Sequence, residues 1–95
     1  MNSIRSVRIP ASVKFGTPFS IEIEYEADQD DHIFLEAEFD ADVAPPSFPA
    51  DKGHHTLAGS ITLTDKLNPS TRRTLVIVAQ LRASVARSNG TDASP

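Results

Sequence analysis

Residues 19–27 read Phe19-Ser20-Ile21-Glu22-Ile23-Glu24-Tyr25-Glu26-Ala27. Phe19, Ile21, Ile23 and Tyr25 fall on one side of a period of two, and Ser20, Glu22, Glu24 and Glu26 on the other. Successive side chains of a strand point to opposite faces, so this pattern predicts a strand with one buried and one wet face. Residues 32–40 repeat it, with Ile33, Leu35, Ala37 and Phe39 against His32, Phe34, Glu36, Glu38 and Asp40. The polar run Asp28-Gln29-Asp30-Asp31 separates the two, and the segment as a whole reads as a β-hairpin.

The same period recurs outward. Ile4 to Ile9 reads as an edge strand closed by Pro10, which has no N–H for a ladder. Val13 and Phe15 lead into the turn Gly16-Thr17-Pro18. Ala44-Pro45-Pro46-Ser47-Phe48-Pro49 cannot run through the middle of a sheet and reads as a connection crossing between sheets at their edge. Leu57, Gly59, Ile61 and Leu63 alternate with small polar residues, Asp65 to Ser70 reads as a turn, and residues 73–82 hold the last strong strand. From Ser84 the chain is small and polar, which predicts a flexible tail over residues 85–95 after a domain over residues 1–84, with Val85 as a residue able to extend the sheet. No segment carries a period of 3.6 with a capping signal, so no helix is expected.

Five to seven short strands joined by turns imply an all-β, antiparallel two-sheet sandwich. Its expected core is Phe19, Ile21, Ile23, Tyr25, Ile33, Leu35, Phe39, Leu57, Ile61, Leu63, Leu75, Ile77 and Leu81. The 95 residues suffice for one such domain. There is no cysteine, which removes disulfides and thiolate chemistry. Thirteen acidic residues against nine basic ones give a net charge of −4, which argues against a nucleic-acid partner. No apolar run approaches the ~20 residues of a membrane helix, and residues 1–5 carry no secretory h-region. A module excised from a longer exported protein would place the domain outside the cell or at its surface.

Pro10-Ala11-Ser12-Val13-Lys14-Phe15-Gly16-Thr17-Pro18-Phe19, running into the alternating strand to Tyr25, resembles the opening phrase of immunoglobulin-like or fibronectin-like modules appended to bacterial surface proteins and polysaccharide-degrading enzymes. Pro49-Ala50-Asp51-Lys52-Gly53 before residues 57–64, and Val78-Ala79-Gln80-Leu81-Arg82, resemble later phrases of the same modules. The resemblance implies an immunoglobulin-like sandwich that acts as a spacer, an adhesive domain or a carbohydrate-binding accessory.

Several side chains are candidates for a site. If the hairpin closes near residues 29–30, Glu24 faces Glu36 and Glu22 faces Glu38. Like charges directly opposite destabilise a sheet, so a neighbouring arginine such as Arg73 or Arg82, a cation or a basic partner is expected to offset them. Paired carboxylates also suit glycosidic acid–base chemistry, but a flat strand face offers no pocket to perturb them. Asp28, Asp30 and Asp31 bring oxygen donors together as calcium candidates, although Asp in a turn more simply caps its own backbone. Phe34, Val76 and Val78 are expected on one outer face, as an apolar contact patch unless the loop carrying Phe48 covers it. His54 and His55, adjacent in a strand, point to opposite sides and cannot share a zinc ion. Asn89-Gly90-Thr91 fits the glycosylation pattern.

No catalytic constellation or cofactor-binding motif is present in the sequence. The expected function is a non-catalytic structural or protein-interaction module. Its partner would be a second copy or a neighbouring domain, and open sheet edges permit homodimerisation. The other expectation is a polysaccharide-binding accessory module. The sequence has no Trp and its one Tyr faces inward, so only Phe34 and Phe48 are left as exposed rings for a sugar.

Overall fold

A computed structural model describes residues 1–67 and 71–95. Among them lie eleven strands and no helix: β1 Ser3–Arg8, β2 Ser12–Lys14, β3 Phe19–Ala27, β4 Asp31–Ala37, β5 Ala41–Ala44, β6 Ser47–Ala50, β7 Gly53–Asp65, β8 Arg73–Leu75, β9 Ile77–Leu81, β10 Ser84–Arg87 and β11 Thr91–Ser94. The count exceeds the expected five to seven. The last part of the expected turn, Asn68-Pro69-Ser70, lies outside the described residues.

Two four-stranded antiparallel sheets have the orders β1-β3-β7-β5 and β10-β9-β4-β6. A third sheet, β2-β11-β8, contains the parallel pair β2/β11. The apolar faces of all three contribute to one buried cluster, an arrangement compatible with a β-sandwich. Ten of the thirteen expected core residues are buried. Phe19 and Leu57 are half-buried against the cluster, whereas Phe39 is 67% exposed.

The expected hairpin does not form. β3 pairs with β1 and β7, while β4 pairs with β9 and β6. Residues 28–30 carry the chain from one sheet to the other. The amide of Asp28 donates to Asn2 Oδ1, and Asp30 Oδ1 accepts from the amide of Lys52. Two strands facing each other across a core show the same alternation as two strands side by side, so the period identified both elements without their neighbours.

Two further strands change sheet. The expected strand over residues 73–82 breaks at Val76: Leu75 pairs with Thr91, and Ile77 pairs with Ala37. Ser88 holds this break, its amide donating to the carbonyl of Ile77 and its hydroxyl accepting from the amide of Ile77. Of the expected connection Ala44 to Pro49, Pro45-Pro46 crosses from β5 in one sheet to the other, whereas Ser47 to Pro49 belong to an edge strand, β6. β6 turns Phe48 inward, where a Cβ on Gly59 of β7 would lie 2.7 Å from its ring. Gly59 therefore leaves the space that Phe48 fills, and Phe48 does not cover the outer face.

Residues 85–95 are not a flexible tail. Val85 to Arg87 belong to β10, and β11 lies between β2 and β8 with Thr91 and Ala93 fully buried. The Thr91 hydroxyl donates to the Pro10 carbonyl at 2.7 Å.

The displaced Phe39 follows from the end of β4. Phe39 and Asp40 take φ of 66° and 54°, a left-handed pair that L side chains adopt at a cost. The turn aims the Asp40 carbonyl at two donors, the amide of Lys66 at 3.0 Å and Nη2 of Arg73 at 3.1 Å. These bonds hold the turn, and it throws the Phe39 ring into solvent.

Candidate functional site

The glutamates of β3 sit apart from those of β4, so neither Glu24–Glu36 nor Glu22–Glu38 is a cross-strand pair. The register sets Glu22 between Arg8 and Ala58, Glu24 between Ser6 and Thr56, and Glu26 between Ser3 and His54. Arg8 meets Glu22 at 3.5 Å, Arg5 meets Glu26 at 3.2 Å, and His54 Nε2 meets Glu24 at 2.8 Å. The offset for the acidic ladder thus comes from β1 and β7. Arg73 and Arg82 serve other carboxylates. Exposed pairs of this kind contribute up to about 1 kcal/mol each. On this solvated face each glutamate thus meets a basic side chain or an imidazole of a neighbouring strand.

The calcium candidates are drawn to separate partners. Asp28 pairs with the N-terminal ammonium, Asp30 accepts from the amide of Lys52, and Asp31 accepts from the amide of His32 and from Arg82 Nε. No group of three or more His, Asp or Glu side chains among the described residues is placed to hold a metal ion. His54 and His55 do point apart: His54 reaches Glu24, whereas Nε2 of His55 contacts the Lys52 carbonyl at 2.8 Å.

Asp31 clamps the β9–β10 loop. Arg82, at φ 55°, takes the first of the two loop positions and reaches back to Asp31 at 2.5 Å. The His32 amide first, and Arg82 second, hold the Asp31 carboxyl below its ordinary 3.8. A carboxylate whose folded pKa is lowered stabilises above its unfolded pKa, and that stability is lost as pH falls through the folded value. Asp31→Asn is therefore expected to cost stability at about pH 6 and to flatten the acid limb of the stability curve below about pH 4. Urea midpoints of both proteins at about pH 6 and about pH 3 check this. Equal differences at the two pH values would contradict it.

The outer face of β10-β9-β4-β6 gathers most of the candidate contact residues. Across it, Val85, Gln80, Phe34 and Ser47 form one row, and Arg87, Val78 and Glu36 the next. Phe34 is 58% exposed and Val85 49%, while Val78 and Val76 are half-buried. Phe34, Glu36, Val78 and Gln80 border one shallow depression. Two ion pairs flank these rows along the strands, Arg82–Asp31 at 2.5 Å where β4 begins and Arg87–Glu38 at 2.9 Å where it ends. The Glu36 side chain makes no hydrogen bond or ion pair with any described residue.

Beyond the Arg87–Glu38 pair the face opens into a cleft of about 670 Å³, lined by Glu36, Glu38, Phe39, Asp42, Lys66 and Arg87 among others. Lys66 pairs with Asp42 at 3.1 Å.

Of the six expected contact residues, Phe34, Glu36, Glu38 and Val78 share this face. Val76 adjoins it through its carbonyl, which accepts from the amide of Glu38. Glu24 lies on the other sheet. Phe39, Val85 and Arg87 join the site unannounced: the period had turned Phe39 inward, and the small polar residues after Ser84 had marked Val85 and Arg87 as tail. Phe39, not Phe48, is the second exposed ring. Comparison with known proteins found no matching family model, no matching curated protein and no matching solved structure.

Proposed function

We propose that the domain is a non-catalytic interaction module on an immunoglobulin-like sandwich, docking protein through the outer face of β10-β9-β4-β6. The strand orders support the architecture. On this reading β1, β3, β7 and β5 correspond to the A, B, E and D strands of such a sandwich, and β4, β9 and β10 to C, F and G, which agrees with the strand orders. β6 lies beside β4 as an added strand.

The observation that carries the function is Phe34, more than half exposed in the middle of a sheet, with Val78 diagonal to it on the next strand, Val85 beyond Gln80 in the same row, and ion pairs at the rim. An apolar centre inside a polar border is the anatomy of a contact surface. The cleft favours a second reading, a carbohydrate-binding accessory module. Phe39 gives that reading a ring for stacking, and Glu36 and Glu38 give it acceptors for hydroxyl groups.

Peptides selected from a random display library on the wild-type domain test the first reading. They are expected to lose about tenfold or more in affinity on a folded Phe34→Ser variant. Selected peptides that bind Phe34→Ser equally well would overturn it. Saturable amide shifts at residues 36–42 on titration with oligosaccharides would instead establish the second.

A further inference from the structure

We infer that the partner this face fits is a second copy of the same chain. The inference rests on the docking reading above and goes further by naming the occupant. Charge is divided across the face along the strand direction. The bases Arg82 and Arg87 stand on the β9–β10 side, at the end of β9 and on β10. The acids Asp31, Glu36 and Glu38 stand on or beside β4, and Asp31 and Glu38 already pair with Arg82 and Arg87 of the same chain, so the basic and acidic halves are two ends of the same pairs with Glu36 in addition. A two-fold axis parallel to the strands, lying between β9 and β4, lays the basic half of one copy on the acidic half of the other. The same operation sets each Phe34 over Gln80 of the opposite copy, next to Val78, and each Val85 over Ser47. The Glu36 side chain, uncommitted among the described residues, then faces the side that carries Arg87.

The face is small. Four strands about 4.8 Å apart and roughly four residues deep make a contact well short of the ~800 Å² per partner of a stable complex. The chain also carries a net charge of −4, so two copies repel at long range. The association is therefore weak, with a dissociation constant on the order of 0.1–1 mM, and it operates where copies are held close together.

The test is dilution of the full chain from about 1 mM to about 20 µM, followed by amide shifts and by sedimentation equilibrium. Concentration-dependent shifts at residues 34–38, 78–80 and 85–87, absent in Phe34→Ser, are the expected result. A charge exchange identifies the geometry. Glu36→Arg alone and Arg87→Glu alone each set like charges together in a homodimer, and both are expected to be monomeric at about 1 mM. Mixed in equal amounts, they restore two opposite-charge contacts and are expected to associate. A wild-type chain that stays monomeric at about 1 mM, shifts confined to another surface such as β1 or β5, or a mixture that does not associate would each overturn the inference. The docking reading fails separately, if library peptides ignore Phe34.

Discussion

Removal of residues 91–95 is expected to abolish the cooperative unfolding transition of this domain. β11 is the middle strand of its sheet, so deleting it leaves β2 and β8 with no strand between them. Val13 and Leu75, both buried, lose their cover at the same time, and the Pro10 carbonyl loses the Thr91 hydroxyl. Lost burial of two to three apolar side chains at about 1.5–3 kcal/mol each, with the lost ladder, equals most of the roughly 5–15 kcal/mol that holds a domain folded. Ala93→Asp probes the same strand without shortening it. It puts a carboxylate at a fully buried position, at a cost of at least about 3 kcal/mol. Urea unfolding followed by circular dichroism measures both. A truncated chain whose midpoint stays within error of the full-length protein would mean that β11 is dispensable and that residues 91–95 behave as a tail after all.

The period of two located nearly every strand with a strong apolar face, and ten buried side chains were identifiable from it. Pairing was not, because alternation reports which way a side chain points and nothing about the neighbouring strand. That single gap moved Glu22 and Glu24 onto a different sheet from Glu36 and Glu38, and with them the apparent acidic ladder. β11 escaped for the opposite reason. Thr91 and Ala93 are buried on a strand that runs between two others, but small polar residues in sequence look like a linker.

The candidate site was half legible. Phe34 and Val78 lie on outward positions of strands that were recognised, so their exposure followed from the period. Phe39 depends on two consecutive left-handed residues, which no local residue preference announces. Its position is decided by donors far along the chain, the amide of Lys66 and the guanidinium of Arg73.

Arg73 is accordingly the side chain whose loss is expected to couple stability to the site. Its Nη2 meets Asp65 Oδ1 at 2.7 Å and the Asp40 carbonyl at 3.1 Å, and its guanidinium lies 5.2 Å from the centre of the Phe15 ring. The side chains of Arg73 and Asp65 are only 16% and 5% exposed. Taking one member from a buried ion pair costs about 3–5 kcal/mol, because the remaining charge keeps its desolvation penalty without its counter-ion. Arg73→Met retains much of the apolar contact with Phe15 and isolates that effect. It is expected to lose about 3 kcal/mol, and Asp65→Asn combined with Arg73→Met is expected to recover part of the loss by removing a buried charge that has lost the guanidinium, although Asp65 still accepts from the amide of Leu67. The two variants should also share a second effect that charge removal does not repair. Without the guanidinium the Asp40 carbonyl keeps only the amide of Lys66, so the left-handed turn loosens and amide shifts move at residues 38–41. Gln80 and Val85, on the flat part of the face, have no bond to Arg73 and should keep theirs. An Arg73→Met protein within about 1 kcal/mol of wild type would show that the pair contributes as little as a surface bridge. A recovered double variant with unmoved shifts at residues 38–41 would show that the turn holds Phe39 outward without Arg73.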